Sequence, residues 1–318
     1  MAELYFNSEQ CILCGQCVGQ CPFGALEIKN ERVEVNASCR MCKLCIKTCP
    51  VHAVSLVESE TQKTVDKDAW KGVMVFVEQE ETGIHPVAFE LLGKAQELAA
   101  KIRQPVYAVL IGGENVREQA GLLPGYGADR VFVYAHPELA HYRGDVYANV
   151  MEECINRVRP AVVLVGATAL GRSLAPACAT RFRTGLTADC TMLDMKENTD
   201  LVQIRPAFGG NIMAQIITTN TRPQFATVRY KVMNAVRREN AAGEIVDCEV
   251  THRMLLSGIE VIRTQIMEHK KAIEEEDVLV VAGRGVKKEE DLEMLRELAS
   301  ALGGQLATTR PLVEKGWG

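Results

Sequence analysis

Two short stretches of this chain carry eight of its twelve cysteines in one repeated spacing, and that repeat constrains the fold more than any other feature. The first run is Cys11-x-x-Cys14-x-x-Cys17-x-x-x-Cys21-Pro22, and the second is Cys39-x-x-Cys42-x-x-Cys45-x-x-x-Cys49-Pro50. The residues that follow are duplicated as well, since Phe23, Gly24, Ala25 and Leu26 answer Val51, His52, Ala53 and Val54. A disulfide framework in a secreted chain would spread its cysteines instead of clustering them. Three thiolates two residues apart wrap one loop around three irons of a cubane, and the fourth thiolate must come from outside that loop. Zinc would use two short C-x-x-C pairs separated by a longer spacer, and it fits these runs poorly. The expectation is therefore two [4Fe–4S] clusters.

Both runs match the bacterial ferredoxin pattern, and residues 1–60 resemble a two-cluster ferredoxin. In that arrangement each run lends its last cysteine to the other cluster. The first cluster would be held by Cys11, Cys14, Cys17 and Cys49, and the second by Cys39, Cys42, Cys45 and Cys21. Gly15 is expected to let backbone approach the first cluster, while Lys43 stands at the equivalent place in the second. His52 aligns with Gly24 and is read as packing or facing solvent. The other cysteines, Cys154, Cys178, Cys190 and Cys248, are scattered and read as buried small hydrophobes.

A length of 318 residues suggests about two domains with room for a small module. The 47% hydrophobic content can bury a core, so general disorder is excluded. With 36 Lys and Arg against 41 Asp and Glu, the net charge of −5 argues against nucleic acid as a partner. No apolar run approaches the ~20 residues of a membrane span. Residues 1–5 show no basic or apolar leader region, so no signal peptide and a cytoplasmic location are expected.

Beyond a polar linker at residues 58–64, strands alternate with helices. Strands are expected at 72–77, 105–111, 130–134 and 161–165, and helices at 86–102, 145–158 and 172–182. This alternation implies a parallel sheet covered on both faces. After Cys190 the pattern changes to strands and turns, at 201–205, 211–217 and 224–230. Further strands are expected at 244–250 and 258–265. The charged stretch 270–277 reads as a solvated face or hinge. A buried strand at 278–282 and a helix at 289–302 then begin a new βα unit. A lone unit cannot bury both faces, so about a hundred further residues are expected beyond Gly318. Gly166 to Ser173 looks like a P-loop, but Arg172 stands where the lysine is needed, which argues against ATP hydrolysis.

Three stretches resemble the α subunit of electron transfer flavoproteins: Gly166 to Pro176; Arg205 to Ile212 with Ala226 to Arg229; and Val280 to Val286 with Ala307 to Arg310 and Gly316-Trp317. The resemblance covers residues 72–318. It implies an α/β fold with a parallel-sheet nucleotide-binding-like domain at 63–240. A small α+β bacterial ferredoxin domain at 1–62 precedes it. A hinge and crossover segment at 241–277 follows, and 278–318 would start a doubly wound FAD-binding domain. FAD contacts carry over to Arg284, Gly285, Thr309 and Arg310. Thr309 departs from the family's serine but keeps a hydroxyl, and Tyr230 stands where small residues or proline are common.

A ferredoxin module fused in front resembles α subunits of anaerobic bacteria, in electron-bifurcating caffeyl-CoA reductase or lactate dehydrogenase complexes. That implies electrons passing from NADH through FAD to a dehydrogenase or reductase flavin, with ferredoxin engaged through the clusters. Implied partners are an electron transfer flavoprotein β subunit, a flavin-containing dehydrogenase of acyl-CoA or lactate type, and soluble ferredoxin. One alternative is a non-bifurcating one-electron carrier. Another is a structural subunit whose clusters only stabilise an interface.

Overall fold

The cysteine spacing leaves room only for very short helices between ligands, and very short helices are what form. The computed structural model describes residues 2–36, 38–58, 65–80, 83–238, 242–265, 273 and 276–317. They divide into two units, Met1–Val65 and Asp66–Gly318. The first unit runs β1 (Ala2–Phe6), α1 (Gln16–Gly19), β2 (Leu26–Lys29), β3 (Arg32–Val35), α2 (Leu44–Thr48) and β4 (Val54–Glu58). Strands β1 and β4 pair antiparallel, with Phe6 opposite Val54, so the first and last strands close the unit. Strands β2 and β3 form a hairpin. Cys17, Leu26, Cys45, Cys49, Ala53 and Val54 form its buried centre.

The second unit is built on an apolar strand, β5 (Val73–Val77), all five residues of which are buried. Val73, Val75 and Val77 join one hydrophobic cluster, and Met74 and Phe76 join another on the opposite face. A short hairpin, β6 (Gln79–Glu80) and β7 (Gly83–Ile84), leads into α3 (Pro86–Ile102). Helix α3 starts with proline at its first turn, where the missing N–H costs nothing, and the His85 imidazole accepts the Val87 N–H at 3.0 Å. Its apolar stripe of Val87, Leu91, Leu92, Ala95, Leu98 and Ala99 is buried. Burying each leucine is worth roughly 1.5–3 kcal/mol.

The chain continues through β8 (Val106–Gly112), α4 (Val116–Ala120), β9 (Arg130–Ala135), α5 (Gly144–Val158), β10 (Val162–Gly166) and α6 (Ala169–Arg181). Next come β11 (Leu186–Cys190), β12 (Met192–Met195), β13 (Leu201–Ala207), β14 (Ile212–Ile217), β15 (Gln224–Val228) and β16 (Glu244–Asp247). Seven strands form one sheet in the order β11-β15-β10-β5-β8-β9-β16, with every pairing parallel. Helix α3 covers one face, and α5 and α6 cover the other. Strands β12, β13 and β14 make a separate antiparallel sheet.

Several details differ from the sequence expectation. Helix α6 begins at Ala169, earlier than 172, because the Thr168 hydroxyl caps it by accepting the Gly171 N–H at 3.0 Å. The 224–230 segment returns to the parallel sheet between β10 and β11. Residues 258–265 form no ladder; there Ser257 and the Gly258 N–H bond the Asp145 carboxylate and tie the segment to the start of α5. A short α7 (His252–Leu255) precedes it. The unit ends with β17 (Leu279–Ala282), α8 (Asp291–Ala301), β18 (Gln305–Thr308) and α9 (Arg310–Val313), with β17 and β18 parallel. The expected linker at 58–64 and charged stretch at 270–277 lie, apart from residues 58, 273, 276 and 277, outside the described residues.

Candidate functional site

Two small pockets lie in the first unit, each lined by four cysteines. Cys39, Cys42 and Cys45 line the first together with Cys21 from the other run. Cys11, Cys14 and Cys17 line the second together with Cys49. The exchange of the fourth cysteine follows from the chain path, because each run ends in a one-turn helix that carries its last cysteine across to the other half. Among the described residues no three His, Cys, Asp or Glu side chains converge as a single metal ion requires. Two sets of four thiols at this sequence spacing suit clusters better than tetrahedral zinc.

The loops bend by left-handed residues at matched places. Leu13 and Met41 have φ +53° and +52°, Gly15 and Lys43 have +70° and +63°, and Gly24 and His52 have +57° and +51°. Sequence reasoning missed Leu13 and Met41, for which only the internal alignment of the runs gives a signal. Gly15 takes up this turn without strain, and a Cβ there would meet no other protein atom within 4 Å. His52 is exposed and lines neither cavity.

Backbone N–H groups point at sulfur in both halves, from Ala25 to Cys21 at 3.4 Å and from Ala53 to Cys49 at 3.3 Å. The Ala25 N–H, with its neighbours, lowers the Cys21 thiol pKa towards the thiolate a metal needs. Burial raises Cys17 and Cys45. Outside this unit Cys154, Cys178, Cys190 and Cys248 are all buried. Burial pushes the thiols of Cys178 and Cys190 up to about 12, which keeps them protonated.

At the other end of the chain, β17 and β18 run side by side with Ala282 opposite Thr308. The residues after each strand therefore emerge together: the Thr309 N–H donates to the Ala282 carbonyl at 2.9 Å, and a Cβ on Gly283 would lie 3.8 Å from the Thr309 hydroxyl. Arg284 and Gly285 are exposed beside them. The Thr309 hydroxyl makes no capping hydrogen bond, and Arg310, 87% exposed, pairs with Glu314 at 2.8 Å. A hydroxyl and two guanidinium groups at the carboxyl ends of parallel strands fit an anionic dinucleotide. The P-loop-like stretch is otherwise engaged, with Thr168 donating to Glu78 at 2.5 Å and Arg172 holding both oxygens of Asp189 at 3.1 Å.

Residues 73–252 match the electron transfer flavoprotein domain family, and residues 272–318 match the electron transfer flavoprotein FAD-binding domain. Two 4Fe-4S binding domain families match residues 4–27 and 36–54. The lactate dehydrogenase (NAD(+),ferredoxin) subunit LctC of Acetobacterium woodii is 52% identical over 300 residues, covering 93% of this chain and 71% of that protein. The electron transfer flavoprotein subunit alpha of Clostridium acetobutylicum is 41% identical, covering 80% and 76%. The protein FixB of Azorhizobium caulinodans is 39% identical, covering 78% and 69%.

Proposed function

The chain belongs to the electron transfer flavoprotein family, and from that premise we propose that it is the α subunit of a ferredoxin-linked, electron-bifurcating complex. Its two 4Fe-4S binding domains and its FAD-binding domain give it the cofactors for that role. When bound, the flavin exchanges electrons in pairs or singly and the clusters exchange them singly.

The chain's own residues bind and tune. Cys11, Cys14, Cys17 and Cys49 hold one cluster, and Cys39, Cys42, Cys45 and Cys21 hold the other. Arg284, Gly285, Thr309 and Arg310 meet FAD, the guanidinium groups offering charge they cannot lose. The domains run 1–62, 63–240, 241–277 and 278–318, the last being the first part of the FAD-binding domain. Partners are an electron transfer flavoprotein β subunit, a flavin-containing dehydrogenase or reductase and soluble ferredoxin. A lactate-type dehydrogenase is favoured by the name of the 52% identical relative. No helix among the described residues is long and apolar enough to cross a membrane, which suits a cytoplasmic complex.

The observation that carries this reading is a pair of four-cysteine cavities in one chain with an electron transfer flavoprotein domain. Anaerobic purification from native cells, with mass spectrometry and iron and flavin analysis, tests it. The reading expects a homologous β subunit, a flavoprotein dehydrogenase and about eight irons per chain. A chain recovered without any flavoprotein partner contradicts it.

A further inference from the structure

The two cysteine runs are so alike that each is the other's control, and their charges differ. Arg40 stands where the first run has Ile12, Lys43 where it has Gly15, and Lys47 where it has Gly19. Arg40 and Lys43 line the cavity of Cys39, Cys42, Cys45 and Cys21, while the cavity of Cys11, Cys14, Cys17 and Cys49 has no charged residue in its lining. Lys47 lies in the short helix α2 that follows Lys43 and does not line that cavity. Arg40 is held over the Phe23 ring, 6.0 Å from its centre. Near the first run the one added charge is negative, Glu9, whose counterpart is Ala37.

We infer that the second-run site is the higher-potential of the two, and that Lys43 is a principal residue setting the difference. The inference rests on the two-cluster reading above. A cluster held by four thiolates is anionic, and reduction adds one electron and no bond. Nearby cations therefore stabilise the reduced form more than the oxidised one. Other influences either cancel or agree. The N–H to sulfur bonds of the two halves are nearly equal, at 3.4 and 3.3 Å. Cys14 and Cys42 are both exposed, and Cys17 and Cys45 both buried. The fourth ligands differ: Cys49 is buried and Cys21 is half-buried, so solvent also favours reduction at the second-run site. Electrons arriving at the module collect there, next to its exposed cationic rim.

The test is an EPR-monitored redox titration of the anaerobically purified full chain with both clusters in place. Cys42→Ser and Cys14→Ser assign the two midpoints to their sites. Lys43→Gly is the informative variant, because Gly15 already holds that backbone conformation in the first run and the fold tolerates it. It should weaken reduction of the higher-potential cluster about three- to tenfold, ~30–60 mV for a one-electron couple at 59 mV per tenfold. The lower midpoint should stay in place. Lys43→Arg, which keeps the charge, should leave both where they are, and Gly15→Lys should raise the lower one. The inference is overturned if Cys14→Ser, not Cys42→Ser, alters the higher midpoint, or if Lys43→Gly moves the lower midpoint or neither. Iron well short of eight per chain would be a different failure, visible before titration, and would remove the two-cluster reading and this inference with it.

Discussion

Lys43 takes the place of Gly15 in the second cysteine run and keeps its backbone, with φ +63° against +70°. A left-handed conformation costs a residue with a Cβ about 1–2 kcal/mol. Because a Cβ on Gly15 would meet no other protein atom within 4 Å, Gly15→Ala is expected to cost that conformational energy and to leave the cluster in place. The expected result is a thermal midpoint lowered by several degrees, at ~4–8 °C per kcal/mol for a small domain, with iron content unchanged. Loss of a cluster would mean that the glycine serves a close approach after all.

The exchanged fourth ligands give a sharper outcome. Cys21→Ser should damage the cluster held by Cys39, Cys42 and Cys45, and Cys49→Ser the cluster held by Cys11, Cys14 and Cys17. Each variant should lose one EPR signal while the other persists. If Cys21→Ser abolished the signal assigned to its own run, the assignment would be wrong.

In the second unit Arg222 and Asp200 form a buried pair at 2.7 Å, with side-chain exposures of 0% and 4%, and Lys67 bonds the same carboxylate. Burial alone would raise the Asp200 pKa, but hydrogen bonds from Lys67 and Arg222 outweigh it and hold it below the ordinary carboxylate value. The stability this contributes is full above the unfolded carboxyl pKa of ~3.9 and is lost as pH falls through the lower folded value. Asp200→Asn should cost about 3–5 kcal/mol near neutrality, because Arg222 is left buried without a charged partner. Chemical denaturation followed by circular dichroism should show that deficit shrinking below about pH 4. An equal deficit at pH 7 and pH 3 would contradict the account.

Arg310 is exposed, and its ion pair with Glu314 must yield before it can meet a phosphate or flavin. In the protein carrying its FAD, Arg310→Ala should weaken flavin retention about tenfold, the low end for a charged hydrogen bond. The flavin-to-protein absorbance ratio after gel filtration reads this directly. Unchanged retention would leave Arg310 a surface arginine.

Legibility in the sequence followed physical cause. The apolar strands β5, β8, β9 and β10 stood out because both their faces are buried, which removes any alternation with polar residues. Helix α3 matched its expected bounds because proline starts it and an apolar stripe runs its length. Strand β11 was not visible: Leu186–Cys190 contains Thr187 and Asp189, and its ladder to β15 is broken by a register shift beside Asp189, at φ +59°. The place of β15 in the parallel sheet was hidden too, since the antiparallel hairpin of β13 and β14 precedes it and only tertiary pairing separates them. The cysteine sets were legible because their spacing is itself the chemistry. The meeting of Ala282 and Gly283 with Thr309 depends on the pairing of two strands more than twenty residues apart, and only the family resemblance pointed to it.

Freeze-quench EPR of the native complex tests the central claim most directly. The complex would be mixed anaerobically with NADH in the presence and absence of the oxidised substrate of its dehydrogenase. The account predicts that both clusters become reduced on the timescale of turnover when NADH and that acceptor are present together, and far more slowly with NADH alone. Clusters that stay oxidised throughout turnover, while flavin-linked activity proceeds, would contradict it.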